Sequence, residues 1–290
     1  MEDYFKYLTC SNEDLNWGFF LTVAGKATIY PGSGYPPSGH PKGYHFSWSN
    51  GRILQEYQIN YITEGEGMLE TDSGKYSVKA GMILIIRPGQ WHRYKPVSSK
   101  GWKEHYIGFN GVIAEKAIES FGFLKAPIVQ IGFSETVLTD FQTVINLVRD
   151  EKPGYQQICS GYVMQILGHI ISIVKGRNFY NNPLEDVIKK SCLIIRDNMH
   201  QTLRINDLSK QLGINYSVFR KSFKKYTGLS PNQYHLALRI KQASHHLINT
   251  NDSIKEISFN LGFCSVFYFS KLYKEKTGLS PSEFRKRFSK

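Results

Sequence analysis

Cysteine is scarce in this chain: four among 290 residues, Cys10, Cys159, Cys192 and Cys264. They lie far apart with no ligand spacing, which argues against a disulfide framework or a thiol-bound metal and reads as reduced thiols in a cytosol. Long apolar runs are missing as well. No stretch reaches the ~18 consecutive apolar residues of a bilayer span, so no membrane role is expected. The opening MEDYFKYLTC carries acids and no extended apolar segment, so it does not read as a signal peptide. A cytoplasmic location is therefore expected. Acid is short in the rear of the chain. Residues 184–290 hold 19 Lys/Arg against 8 Asp/Glu, while residues 1–183 hold 17 against 16. The net charge of +12 thus sits almost wholly behind residue 183. Charge confined to one segment is the footprint of a polyanionic partner, most often nucleic acid. The length suffices for two domains.

What is present in that basic segment is a repeat. TGLSP stands at Thr227–Pro231 and again at Thr277–Pro281. Around it, Asp207-Leu208-Ser209 recurs as Glu256-Ile257-Ser258, Leu212-Gly213 as Leu261-Gly262, and Phe219 and Phe223 as Phe269 and Tyr273. Such self-similarity is one supersecondary unit built twice. Each copy reads as a short helix, a Gly turn, a second helix, then Ser-Pro opening the next helix. In the first, Phe219, Phe223 and Tyr226 are expected to face a core, opposite Ser217, Arg220, Lys221, Lys224 and Lys225. In the second, Phe269, Leu272 and Tyr273 face inward, while Val266, Phe267, Ser270, Lys271 and Lys274 face out or partly out. An apolar back with a cationic, hydrogen-bonding front is what a major-groove reader needs. A helix over about Asn232–Ile248 joins the two units and holds the readers at a fixed separation.

The front of the chain reads differently. Residues 18–110 are rich in Gly, Tyr and β-branched residues with turn signals at short intervals, which suggests a barrel or jelly roll. GSGYPPSGHPKG (32–43) reads as a loop, QEYQINYIT (55–63) as a strand, and Asp72-Ser73-Gly74 as a hairpin turn. Ser134-Glu135 caps a helix running to about Glu151, and another begins near Tyr155. That second helix carries a stripe of Ile158, Tyr162, Gln165, Ile166, His169, Ile170, Ile173 and Val174, and more than one face is apolar, since Val163, Leu167 and Ile171 are there too. Two readings of it stay open: packing on the barrel, or a dimer interface. Gly176 to Pro183, polar and Asn-rich, reads as the linker.

Residues 184–290 resemble the DNA-binding domain of the AraC/XylS family of bacterial transcription regulators. The resemblance is carried by Ala243, Leu247-Ile248, Ile254, Ile257, Gly262-Phe263, Phe269, Tyr273, Gly278-Leu279-Ser280-Pro281 and Phe284-Arg285. It implies base-facing positions at Ser217, Val218, Arg220 and Lys221, and at Val266, Phe267, Ser270 and Lys271, with Lys224 and Lys274 alongside. Val266 and Phe267 are apolar for such positions; they suit a thymine methyl or packing. The front resembles, more loosely, the family's cupin-type sugar-binding barrel. The metal ligands of enzymatic cupins are missing there: of that set only Gly81, Gly89 and His92 stand in register, and residues 51–67 hold no histidine. A lone imidazole does not assemble a metal site. Register with the family's sugar-responsive members puts Arg52, Tyr94, Glu104 and Tyr106 at or near sugar-contacting positions, with His92 on the same strand face as Tyr94.

The expected architecture is thus a two-domain chain. An all-β cupin-like barrel (about 18–110) with helices (about 134–175) forms a ligand-binding and dimerisation domain at 1–175. A linker follows at 176–183, then an all-α domain at 184–290 with two helix-turn-helix motifs. The expected function is a sequence-specific regulator of carbohydrate-use genes, an activator and not an enzyme. No cofactor or metal is expected. The expected partners are double-stranded DNA, a small sugar effector, a second copy of the chain and RNA polymerase. Two alternatives remain: a metal-independent cupin sugar enzyme fused to a DNA-binding domain, and a regulator whose barrel is vestigial.

Overall fold

The computed structural model describes residues 3–36, 47–177, 179, 182–201 and 203–288. The chain divides into two units, Met1–Val174 and Lys175–Lys290. The first contains strand β1 (Tyr4–Tyr7), helix α1 (Asn12–Trp17), and strands β2 (Phe20–Ile29), β3 (Arg52–Ile53), β4 (Tyr57–Thr71), β5 (Gly74–Lys79), β6 (Met82–Ile86), β7 (Trp91–Pro96) and β8 (Trp102–Asn110). Helix α2 (Val112–Glu119), strand β9 (Ile128–Gln130) and helices α3 (Glu135–Asp150) and α4 (Tyr155–Gly176) complete it. All pairings are antiparallel. One path runs β1-β2-β8-β4-β6-β9, and a second sheet joins β5, β4, β7 and β3.

β4 belongs to both sheets. Tyr57–Ile62 pairs with β8 and β6, and Glu66–Thr71 pairs with β5 and β7. The sequence reading ends one strand at Thr63 and places a separate hairpin after it, with its turn at Asp72-Ser73-Gly74. Gly65 instead bends a continuous strand: its φ is +82°, and a Cβ there would lie 2.1 Å from the Gly101 carbonyl oxygen. Only glycine fits such a bend. Because strand side chains alternate, β4 presents Ile59 and Tyr61 to one face and Asn60 and Ile62 to the other. The first face joins Ile83, Ile85, Ile107 and Phe109 in a core with Phe141 and Val144 of α3 and Val163 and Ile166 of α4. The second face closes on the lumen with Leu69, Leu84, Ile86, Tyr94 and Trp102.

By length and composition α4 is apolar enough to cross a membrane. Reading run lengths missed this because Gln157, Ser160, Gln165 and His169 interrupt it. Its buried side is Gln156, Cys159, Ser160, Val163, Ile166, Leu167 and Ile170. Of the predicted stripe Ile166 and Ile170 are buried, as are Val163 and Leu167 beside it, while Ile158 and Gln165 face out. Gln156 bonds both the N–H (2.9 Å) and the carbonyl (3.1 Å) of Leu21, where a bulge in β2 interrupts the ladder with β8.

The second unit is helical: α5 (Pro183–Asp197), α6 (Ile205–Gln211), α7 (Tyr216–Thr227), α8 (Pro231–Asn249), α9 (Ile254–Asn260), α10 (Val266–Thr277) and α11 (Pro281–Phe288). The repeated TGLSP has a local physical meaning. Thr227 Oγ1 lies 2.9 Å from the carbonyl of Phe223, and Thr277 Oγ1 lies 2.9 Å from that of Tyr273. Gly228 and Gly278 then take left-handed C-cap conformations. Ser230 caps α8 and Ser280 bonds the N–H of Glu283 in α11, each followed by Pro at the first helical position. Within the linker stretch, Asn178, Tyr180 and Asn181 lie outside the described residues. So do residues 37–43 of the predicted loop.

Replacing Gly65 by Ala should destabilise the first unit by roughly 2–4 kcal/mol, from the left-handed backbone and the clash together. Urea unfolding followed by the fluorescence of the Trp residues, all of which precede position 103, measures it; an unchanged midpoint would contradict the bend.

Candidate functional site

In the helical unit the two candidate readers have separate small cores that share one strut. Phe219 and Phe223 pack with Ile188, Ile195, Ile205 and Leu208, joined by Tyr234 and Leu238 of α8. Phe269 and Tyr273 pack with Ile257, Leu261 and Phe263, joined by Ile240, Ala243 and Leu247 of α8. α8 thus supplies Tyr234 and Leu238 to one core and Leu236, Ile240, Ala243 and Leu247 to the other. Its 19 residues span about 28 Å. Arg239 fixes the strut to the preceding chain, donating to the carbonyls of Met199 (2.8 Å) and Gln201, with its guanidinium 5.3 Å from the Phe263 ring centroid. Arg285 donates to the carbonyls of Leu247 (3.2 Å) and Asp252 (2.6 Å).

The N-caps fix the register of the readers. Asn215 accepts from the N–H groups of Ser217 and Val218, and Ser265 from that of Tyr268. The readers begin fifty residues apart and their support helices forty-nine, so the second turn is one residue longer. Ser217, Val218, Arg220, Lys221 and Lys224 are all exposed on α7. On α10, Phe267, Lys271 and Lys274 are exposed, while Val266 and Ser270 are half-buried. The counterpart of Val218 at the fifty-residue offset is Tyr268, which is exposed and which the sequence reading did not name. Tyr226, expected in the core, stands half out and packs edge-on to Phe179 at 5.0 Å.

In the sensor unit the structure brings Arg52, His92 and Tyr94 into one bonded set. Arg52 donates through Nε to His92 Nε2 (3.1 Å) and through a terminal nitrogen to the Tyr94 hydroxyl (2.7 Å). Since His92 Nε2 accepts, its proton is on Nδ1, which faces the Gln90 carbonyl at 2.9 Å. Burial, followed by the nearby guanidinium, lowers the His92 pKa to about 4. Asn60 Nδ2 also donates to the Tyr94 hydroxyl (3.0 Å). Glu104 is buried and joins through Tyr35, whose hydroxyl is 3.3 Å from each carboxylate oxygen. Burial raises the Glu104 pKa to about 8 despite the Tyr35 bond and Arg52, so the carboxyl is mostly protonated at neutral pH. Tyr106 is buried on the same face, its ring against Gly25, where a Cβ would lie 2.5 Å from the ring.

Sequence reasoning missed three residues of this lumen. Tyr35 comes from the stretch read as a loop; its ring stands edge-on to Trp102 at 5.7 Å. It also lines a cavity of about 590 Å³ with Tyr30, Trp48 and Lys95. Asn60 and Trp102 are the other two. Among the described residues, Asn60 Oδ1 and Trp102 Nε1 are buried with no hydrogen-bond partner. A polar atom left so costs free energy, and a ligand hydroxyl offers what each lacks. The signal for Asn60 was present: Gln58 and Asn60 are polar residues at period two in the buried stretch Tyr57–Ile62, whose other side chains are Tyr and Ile. Among the described residues no group of three or more His, Cys, Asp and Glu side chains could hold a metal ion.

Comparison with known proteins gives two family matches. Residues 20–167 match the AraC-like ligand binding domain, and residues 208–287 match a helix-turn-helix domain. The chain is similar to the Msm operon regulatory protein of Streptococcus mutans serotype c, 29% identical over 251 residues, covering 84% of this chain and 88% of that protein. It is similar to the lactose operon transcription activator of Staphylococcus xylosus, 25% identical over 254 residues, covering 85% and 88%. The arabinose operon regulatory protein of Escherichia coli K12 is 23% identical over 242 residues, covering 80% and 81%.

The lumen carboxyl has a measurable consequence. A carboxyl whose folded pKa is near 8 against an ordinary 4.5 binds a proton more tightly when folded. Its contribution therefore falls as pH rises from 4.5 to 8. His92, held near 4 against 6.5, acts oppositely and only below 6.5. A Glu104→Gln variant should gain melting temperature relative to the parent as pH rises towards 8. Parallel melting curves from pH 5 to 9 would show that the carboxyl is ionised in the folded state.

Proposed function

The chain belongs to the AraC family of transcription regulators, and we propose that it is a ligand-responsive activator of carbohydrate-use genes. In this reading a sugar enters the lumen of residues 1–175, and the domain at 184–290 reads DNA through α7 and α10. The observation that carries it is the pairing of two exposed cationic reader faces with a buried polar cluster that leaves the acceptor Asn60 Oδ1 and the donor Trp102 Nε1 without partners. Arg52, His92, Tyr94, Glu104 and Tyr106, with Tyr35, Asn60 and Trp102, contact the sugar. Ring faces of Tyr94 and Trp102 suit the C–H side of a pyranose, and the amide, carboxyl and guanidinium suit its hydroxyls. Similar proteins named for lactose, raffinose and arabinose operons support this effector class. No metal takes part.

The protein works in the cytoplasm as a homodimer and presents DNA-bound surface to RNA polymerase. Support for the dimer is the outward side of α4 and its neighbour α1, where Ile158, Met164, Leu15 and Trp17 are exposed. Trp17 is fixed there by a 2.9 Å bond from its indole to Ser160 Oγ. Sedimentation of the full chain tests this part.

A panel of monosaccharides and short oligosaccharides tests the sensor. A binding sugar at ~100 times its dissociation constant should stabilise the sensor unit by about 2.7 kcal/mol. Asn60→Leu should abolish the shift while the protein stays folded, and dialysis against chelator should leave it unchanged. A stoichiometric metal lost together with binding would contradict the reading.

For the readers, Arg220→Ala and Lys221→Ala should each cost about 1–3 kcal/mol on a selected duplex and relax preference at one base pair. Lys224→Ala should weaken all duplexes alike, with a salt slope reduced by about one. Equal losses on specific and random DNA for all three would remove the base-reading roles.

A further inference from the structure

The two reader helices start alike and differ in chemistry. From each N-cap, the second, fifth, sixth and ninth residues form one stripe at i, i+3, i+4 and i+7. On α7 the stripe is Ser217, Arg220, Lys221 and Lys224. On α10 it is Phe267, Ser270, Lys271 and Lys274. The cationic end is kept, and a hydroxyl at the leading end is replaced by a benzyl group. Phe267 is 80% exposed, the highest value among the exposed large apolar side chains of the described residues, and Tyr268 beside it is 57% exposed. Neither is needed for packing, since the core beneath is filled by Phe269, Tyr273, Leu261 and Phe263.

We propose that α10 selects thymine by its 5-methyl group, with Phe267 and Tyr268 as the specificity-determining contacts, while α7 selects by hydrogen bonds from Arg220 and Lys221. The inference rests on the reading of the chain as a sequence-specific DNA-binding protein and names what one of its readers recognises. A large apolar side chain left in water seeks apolar surface. Lys271 and Lys274 on the same stripe favour a polyanion as the surface that covers it. Within a major groove the one apolar group on a base edge is the thymine methyl. Reader helices enter with their N-terminal residues foremost, and Phe267 is the second residue of its helix. The half-site therefore has a segment read through guanine or adenine hydrogen-bond acceptors and, beyond it, a segment read through methyl groups.

The test uses the full chain. Duplexes are selected from a random library, and the best is resynthesised with each thymine in turn replaced by deoxyuridine, which removes the methyl alone. Binding should fall about three- to tenfold at one or two thymines in the segment facing α10, as expected for one buried methyl. Phe267→Ser, which copies the first reader, should bind the parent duplex more weakly and be indifferent to uridine there; Phe267→Leu should keep part of the sensitivity. Circular dichroism checks that both variants retain their helices. If no uridine position matters while binding stays specific, or if Phe267→Ser is as sensitive as the parent, the inference falls and the DNA-reading function stands. If no duplex is enriched over random DNA, both fall together.

Discussion

The sensor depends on one strand serving two sheets. β4 runs fifteen residues, and its ladder partners change from β8 and β6 to β7 and β5 on either side of Gly65. That bend turns one strand face into a continuous lining and sets the carboxyl and phenol of β8 across from the imidazole and phenol of β7. Without it, Asn60 and Tyr94, joined by a 3.0 Å hydrogen bond, would stand on separate flat sheets. The opposite face of the same strand anchors α3 and α4, so the lumen and the helical layer are two sides of one register. A slip of one residue would exchange Asn60 with Tyr61 and lose both.

The DNA-binding unit answers a different constraint, that of size. Each helix-turn-helix has few side chains of its own to bury: among the described residues α6 and α7 give four of the six buried hydrophobics of the first core, with α5 giving the other two, and α8 gives three of the eight of the second. α8 resolves this by contributing to both, which also fixes the readers relative to one another. The arginines at positions 239 and 285 secure the strut's surroundings by satisfying carbonyls at chain ends where helix bonding stops. Stability and reader spacing therefore come from the same helix.

How much of this could be read in advance follows from how local each feature is. TGLSP was legible because every residue in it acts within one turn: Thr on a carbonyl behind, Gly at positive φ, Ser on an N–H ahead, Pro where no donor is needed. The reader stripes were legible for the same reason. β4 was misread because Gly65 signals a turn locally, and only the contact with the Gly101 carbonyl shows it to be a bend within a strand. Tyr35 was not legible, since its role comes from Glu104, 69 residues away. Of the lumen, the polar pair Gln58 and Asn60 could have been flagged by alternation alone. On α10, counting from the N-cap adds Tyr268 to the positions that the family resemblance names.

The electrostatics of the lumen narrow what an effector has to supply. With Glu104 mostly protonated and His92 neutral at pH 7, Arg52 is the charge that remains in the bonded set, and Tyr94, Gln58 and His92 already solvate it. A neutral carboxyl both donates and accepts, as a sugar hydroxyl does, so the two match without a buried charge being left unpaired. In the structure Tyr35 takes that position on Glu104. A ligand shifts a protein between states only by the difference in its affinity for them. In the proposed reading a sugar hydroxyl competes with the Tyr35 hydroxyl at Glu104 and supplies Asn60 Oδ1 and Trp102 Nε1 with partners. On that reading the exchange of the Tyr35 hydroxyl for a ligand hydroxyl at Glu104 is what distinguishes the two arrangements.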